Sequence, residues 1–157
     1  MARFNPPDSL RLDLFTSGEV AMAVSLSGGA FRTEGEIDDV VLPSLPFMYA
    51  MAGLYEPDWV PTEGYEAGDE SVLVLGEGDT RTYFFLLEDR LTKLEQRVNG
   101  RLRRRVRVNW APDTESWPSS AEYRDFDTPS RVRWRVESVT PVPGGNAPEI
   151  YEIPGAR

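Results

Sequence analysis

The chain has 157 residues, 40% of them apolar and 27% charged, and a formal net charge of −9. That is the make-up of one globular domain able to bury a core without cross-links. It contains no cysteine, no histidine and one lysine, Lys93. These absences exclude disulfides, thiolate and imidazole metal sites and the usual neutral-pH general base, and leave Schiff-base or P-loop chemistry only Lys93, which no Gly-rich loop precedes.

In chain order, residues 1–9 read as an extended arm, because Pro6-Pro7 disfavours regular pairing. Residues 10–157 read as a single β-rich domain. Residues 10–15 alternate Leu10, Leu12 and Leu14 against Arg11 and Asp13. After Ser17-Gly18, residues 19–27 alternate Val20, Met22, Val24 and Leu26 against Glu19, Ala21, Ala23 and Ser25, which predicts a β-hairpin. Gly28-Gly29 ends it, and residues 33–39 are an acidic loop. Residues 47–54 predict a short buried helix closed by Gly53. Residues 55–70, with two prolines, two glycines and six acids, read as a long irregular loop.

Residues 71–75 and 82–87 predict two strands joined by Gly76-Glu77-Gly78-Asp79, and residues 88–98 a helix stopped by Asn99-Gly100. A long strand covers residues 101–110. A Pro/Ser/Asp-rich excursion takes 111–129, a further strand covers 130–139, and residues 149–153 form a last short strand. The fold class expected is mainly β: a single-domain antiparallel sandwich or barrel with one amphipathic helix.

From the end of the preceding strand through the helix, apolar residues fall at Phe84, Leu87, Leu91, Leu94 and Val98, at spacings 3, 4, 3, 4, a heptad seam. With Leu91 at a and Leu94 at d, Arg90 falls at g and Glu95 at e. The string resembles the Arg-h-x-x-h-Glu signature of trimeric coiled coils, which implies a homotrimer pairing Arg90 of one chain with Glu95 of the next. The same stripe serves a helix lying on its own sheet, and short stripes more often face a core.

The arginines are the most informative feature. Residues 1–80 carry three arginines against fifteen acids, and residues 81–157 thirteen arginines and Lys93 against eleven acids, so the halves stand at −12 and +3. As a strand, residues 101–110 put Arg101, Arg103, Arg105 and Arg107 on one face, with Leu102, Arg104, Val106, Val108 and Trp110 on the other. Arg131, Arg133 and Arg135 repeat the pattern opposite Val132, Trp134 and Val136. Were the two strands neighbours, seven arginines would share one face and need a counter-charge. Three sources stand open: the chain's own acidic half, an acidic surface of a neighbouring subunit, or nucleic-acid phosphate. The strongly negative whole-chain charge opposes the last, as does the placing of Trp110 and Trp134 on the face away from the arginines.

The acidic groups Glu34/Glu36/Asp38/Asp39, Asp69-Glu70 and Glu77/Asp79 match no EF-hand spacing and read as solvated loops. No carboxylate pair is marked out for catalysis, so no enzyme activity and no cofactor is expected. The N-terminal residues lack a signal peptide's apolar core, and the apolar-rich run at 45–54 is too short to span a bilayer, which points to a protein kept in a cytoplasm.

The tail, Arg133-Trp-Arg-Val-Glu-Ser-Val-Thr-Pro-Val-Pro-Gly-Gly-Asn ending in Glu149-Ile-Tyr-Glu-Ile, resembles the closing hairpin of small β-barrel head–tail connector proteins of tailed bacteriophages. The resemblance covers about 25 residues. It implies a virion structural protein, of connector, tail, baseplate or capsid-decoration type, that contacts itself and neighbouring virion proteins. Two other readings stay open: an acidic binding or inhibitor protein acting on a host protein, and a carboxylate-only enzyme or Ca²⁺-dependent sugar binder.

Overall fold

A computed structural model describes residues 2–5, 9–16, 19–27, 30–35, 42–54, 60–111, 117–128 and 130–136. The fold is mainly β, antiparallel throughout, with one helix among the described residues. The chain divides into two compact units, Met1–Val40 with Thr140–Arg157, and Val41–Val139.

The described part of the first unit is a four-stranded meander, β1 (Ala2–Asn5), β2 (Ser9–Thr16), β3 (Glu19–Ser27) and β4 (Ala30–Gly35), in that spatial order. The expected hairpin is present, and its register sets Leu10 opposite Leu26, Leu12 opposite Val24 and Leu14 opposite Met22. Two expectations are corrected. Residues 2–5 are not an arm: they pair antiparallel with β2, Phe4 opposite Leu10. A Pro-Pro step excludes pairing only at its own residues and leaves those on either side free to form a ladder. Asp13, expected on the solvent side, is buried and accepts a hydrogen bond of 2.7 Å from Arg11 Nε. Of the stretch read as an acidic loop, residues 33–35 belong to β4, and residues 36–39 lie outside the described residues.

The second unit is an open seven-stranded sheet: β5 (Glu63–Ala67), β6 (Glu70–Leu75), β7 (Thr80–Leu87), β8 (Arg90–Val98), β9 (Arg101–Asn109), β10 (Ser120–Asp125) and β11 (Arg131–Arg135). The strands lie in chain order with β5 and β11 at the edges. One face holds a rung that crosses the sheet, Leu73–Phe84–Leu94–Val106–Tyr123–Val132, with Val108–Ala121–Trp134 beside it. The helix α1 (Leu45–Met51) lies on this face, and Phe47, Ala50 and Met51 join Phe84, Leu91, Leu94, Val106 and Tyr123 in the core. Phe47 meets Tyr123 edge to face at 5.4 Å. Ser44 precedes the helix, Pro46 sits in its first turn, where a missing N–H costs nothing, and Gly53 ends it at φ 77°. A Cβ on Gly53 would lie 2.7 Å from the Trp110 ring, so the close helix–sheet approach needs glycine as much as the φ does.

The helix expected at 88–98 is strand β8. Its two ends are two-residue turns: Glu88 and Asp89 at φ 50° and 63°, then Asn99 and Gly100 at φ 51° and 76°. Paired positive φ values are the mark of tight hairpin turns. The heptad spacing has a local cause. Leu86 pairs with Leu91 but Phe85 with Lys93, so Thr92 is an extra, bulged residue. A bulge shifts the alternation by one, so Leu91 and Leu94, three apart, both enter the core. Thr92 is held there by donating from Oγ1 to Glu70 Oε1 at 2.6 Å and to the Phe85 carbonyl at 3.1 Å. A lone helix of that length is marginal, whereas a strand between β7 and β9 gains ladder bonds on both sides.

Two further strands fall where loops were expected. β5 lies inside the 55–70 stretch, and β10 inside the 111–129 excursion. The proposed last strand at 149–153, and the hairpin that carries the phage resemblance beyond residue 136, lie outside the described residues.

Candidate interaction face

The sheet face opposite α1 is set by the same register. Two rungs cross it from β5 to β11. One reads Glu63–Val74–Tyr83–Glu95–Arg105–Arg124–Arg131, and the other Tyr65–Val72–Phe85–Lys93–Arg107–Glu122–Arg133. The face thus changes character along the strand order, from acidic and aromatic-aliphatic at one edge to arginine at the other. Residues 60–79 hold six acids and no base, while residues 101–136 hold nine arginines against five acids.

The arginine strands are not neighbours, as had been considered: β10 lies between β9 and β11. It brings Glu122 opposite both Arg107 and Arg133, and adds Arg124 opposite Arg105 and Arg131. Of the seven arginines expected together, Arg105, Arg107, Arg131, Arg133 and Arg135 do share this face. Arg101 and Arg103 do not join the rungs. Arg101 is exposed at the β8–β9 turn opposite Val98. Between Gln96↔Arg104 and Arg97↔Leu102 the register slips, leaving Arg103 without a partner residue on β8; its guanidinium instead binds Asp127 beyond β10. Arg104 stays with the other face, as expected, bonded to Gln96 and Asp125.

On β8–β11 the face therefore carries Lys93, Arg97, Arg105, Arg107, Arg124, Arg131, Arg133 and Arg135 against Glu95 and Glu122, a formal surplus of six positive charges. Glu122 Oε2 accepts from Arg131 at 2.5 Å and Arg133 at 2.7 Å. Glu95, 7% exposed, accepts from Arg97 Nη2 at 2.7 Å and Nε at 3.2 Å, and Lys93 Nζ stands 3.9 Å away. The hydrogen bond to Glu95 raises the Arg97 pKa against the effect of burial. Burial lowers that of Arg105, helped by the nearby Arg107 and opposed by Glu95. Arg107, Arg124, Arg131, Arg133 and Arg135 are exposed. Among the described residues Arg107, Arg124 and Arg135 have no carboxylate within ion-pair distance.

Aromatic rings share this face, which the sequence reading missed. Lys93 Nζ lies 3.5 Å from the Phe85 ring centroid and Arg97 5.3 Å from that of Tyr83, so their stems lie over apolar surface. At the β10–β11 turn Phe126, 40% exposed, lies under Arg124 at 4.9 Å and Arg105 at 5.4 Å. The alternation of Tyr83 and Phe85 with Phe84 could have placed them, had the flanking strands been paired correctly. Trp110 and Trp134 pack against the core as expected, with Trp110 Nε1 donating to the Leu91 carbonyl at 2.9 Å.

The residues of the coiled-coil seam are dispersed. Leu91 and Leu94 are buried in this chain's own core, and Leu87 is exposed beside the turn. Val98 pairs with Arg101, Arg90 stacks on Trp110 at 5.5 Å, and Glu95 faces the opposite side of the sheet, bound by Arg97. Nothing remains of an intermolecular a/d seam here, because both of its central leucines are used within the sheet.

Of the acidic groups, Glu34 is exposed at the end of β4, Glu70 accepts from Thr92, and Glu36, Asp38 and Asp39 lie outside the described residues. Among the described residues no group of carboxylates is arranged to hold a metal ion, and no helix is long and apolar enough to cross a membrane. No family model, curated protein or solved structure matches the chain.

Proposed function

We propose that this protein is a non-enzymatic assembly subunit whose seven-stranded sheet docks by complementary charge, its arginine-rich end against an acidic surface. The observation that carries the reading is the row of five exposed arginines on one face, with Glu122 the one carboxylate beside them among the described residues, in a chain whose net charge is −9. Holding like charges side by side on adjacent strands is unfavourable, and an acidic partner relieves it while fixing register. The resemblance of the tail to connector hairpins suggests a phage particle as the setting.

The native mass, measured by light scattering at low and high salt, tests the reading. Assembly at low salt that dissociates as salt rises is expected, because contacts between exposed charges are screened. A monomer at every salt concentration refutes it. That result would favour the second reading, a binding protein that offers its acidic 60–79 end, six acids and no base, to a basic site on another molecule.

A further inference from the structure

We infer that the sheet continues from one copy of this chain into the next, β11 of one molecule pairing edge-on and parallel with β5 of its neighbour. The inference rests on the assembly reading above and names its contact. Each edge strand has five residues. Among the described residues nothing pairs with the far side of either, and all five residues of β5 are exposed. An edge strand without a neighbour on that side offers its N–H and C=O groups for pairing.

The charges choose the partner. β11 presents Arg131, Arg133 and Arg135 on the outer face, and β5 presents Glu63 there, where it also binds Arg81 at 3.2 Å, with Asp69 in the turn that follows; Glu66 lies on the other face of β5. Two β11 edges would set arginine against arginine, and two β5 edges glutamate against glutamate, both unfavourable. Only the unlike edges attract. The charges that protect each edge against its own kind thus admit the opposite edge.

Topology chooses the direction. Six antiparallel steps separate β5 from β11, so the two strands run the same way. A neighbour placed beside β11 with its arginine face on the same side therefore pairs in parallel. The rungs then continue across the junction: Arg131 reaches the neighbour's Glu63, and Arg133 the neighbour's Tyr65, which is 49% exposed. The contact is heterologous, using different surfaces on the two copies, so it propagates as a ring or an open filament rather than stopping at a dimer.

The test compares four chains by light scattering and sedimentation over a concentration series at low salt, with circular dichroism to confirm folding. They are wild type, Arg131→Glu/Arg133→Glu/Arg135→Glu, Glu63→Arg, and the chain carrying all four changes. Each charge-reversed edge should weaken self-association by about tenfold or more, since opposed charges across strands are worth up to about fivefold each. The variant with all four changes, its facing charges exchanged, should recover assembly. Because Arg131 and Arg133 also hold Glu122, Arg135→Glu alone is the milder control, expected to weaken assembly with folding intact. A wild type that assembles while both edge-reversed chains assemble equally well overturns the edge pairing and leaves the assembly reading standing. A wild type that is monomeric throughout overturns both.

Discussion

Replacing Glu95 with glutamine is the sharpest probe of the sheet's electrostatics. Glu95 lies at the centre of one outer rung, 7% exposed, between Tyr83 and Arg105. Its carboxylate takes two hydrogen bonds from Arg97 and stands 3.9 Å from Lys93. A charged hydrogen bond contributes a net ~1.5–3 kcal/mol, and breaking a fully buried pair costs about 3–5 kcal/mol. The Arg97 side chain is 42% exposed, so it can turn to water, and glutamine keeps the shape and one acceptor oxygen. The loss should therefore fall near the low end, about 2 kcal/mol. With a urea m-value of about 2 kcal/mol/M for a unit of this size, the midpoint moves down by about 1 M. All four tryptophans lie in the Val41–Val139 unit, so urea titration followed by tryptophan fluorescence reads that unit directly. The deficit should shrink as salt rises, because salt screens the cations left facing one another. A variant as stable as wild type, or more stable, would show that Glu95 does not hold the cations of β8 and β9 together, and the reasoning would fail.

Three further outcomes follow from the same geometry. Leu94→Ala removes a fully buried side chain from between Phe84 and Val106. It should cost about 3 kcal/mol by thermal or urea unfolding without changing the number of subunits in the native particle, as a trimer seam would require. Deleting Thr92 should be far more damaging than Thr92→Val. The deletion removes the bulge and swings Leu91 off the core face, whereas valine forfeits one hydroxyl's hydrogen bonds, about 1 kcal/mol; melting temperatures of the two variants compare them. Asp125 should make the unit sensitive to acid. Burial opposes its ionisation, but the N–H groups of Asp127 and Thr128 and the Arg104 guanidinium outweigh burial and hold its pKa below the usual carboxylate value. Its stabilisation is thus complete above the unfolded carboxylate pKa, about 4, and is lost as pH falls through the lower folded value. Urea midpoints measured from neutral pH down to about pH 3 should fall more steeply for wild type than for Asp125→Asn.

Much of the fold is legible in local pattern. Alternation located β2, β3, β6, β7, β9 and β11 within a few residues, and the Gly53 stop and apolar run located α1. β8 was misread because a bulge imitates a helix: one inserted residue, Thr92, converts the strand period of two into a spacing of three between Leu91 and Leu94. Periodicity carries no sign of which element made it. The Glu88-Asp89 turn was equally concealed, since neither residue is a glycine or an asparagine, yet both adopt positive φ. β5 and β10 were hidden by composition. Glu63, Gly64 and Glu66 are poor strand formers, and at the edge the neighbouring strand, more than propensity, decides the outcome.

The missed β10 alters the meaning of the arginines. Two arginine strands side by side would be a wall of seven like charges needing a large external counter-charge. With β10 between them, Glu122 binds both Arg131 and Arg133 and offsets one of their two charges, and Asp127 draws Arg103 away. What remains is smaller and more directional: Arg107, Arg124 and Arg135, without carboxylates among the described residues, stand towards one end of the sheet, while residues 60–79 at the other end hold six acids and no base, with Arg81 of β7 bound to Glu63. A uniform cationic wall would attract any polyanion. A gradient along the strand order distinguishes the two ends of the sheet, and so favours a partner with the opposite gradient. A second copy of the same sheet, placed end to end with the first, supplies that gradient without any further component.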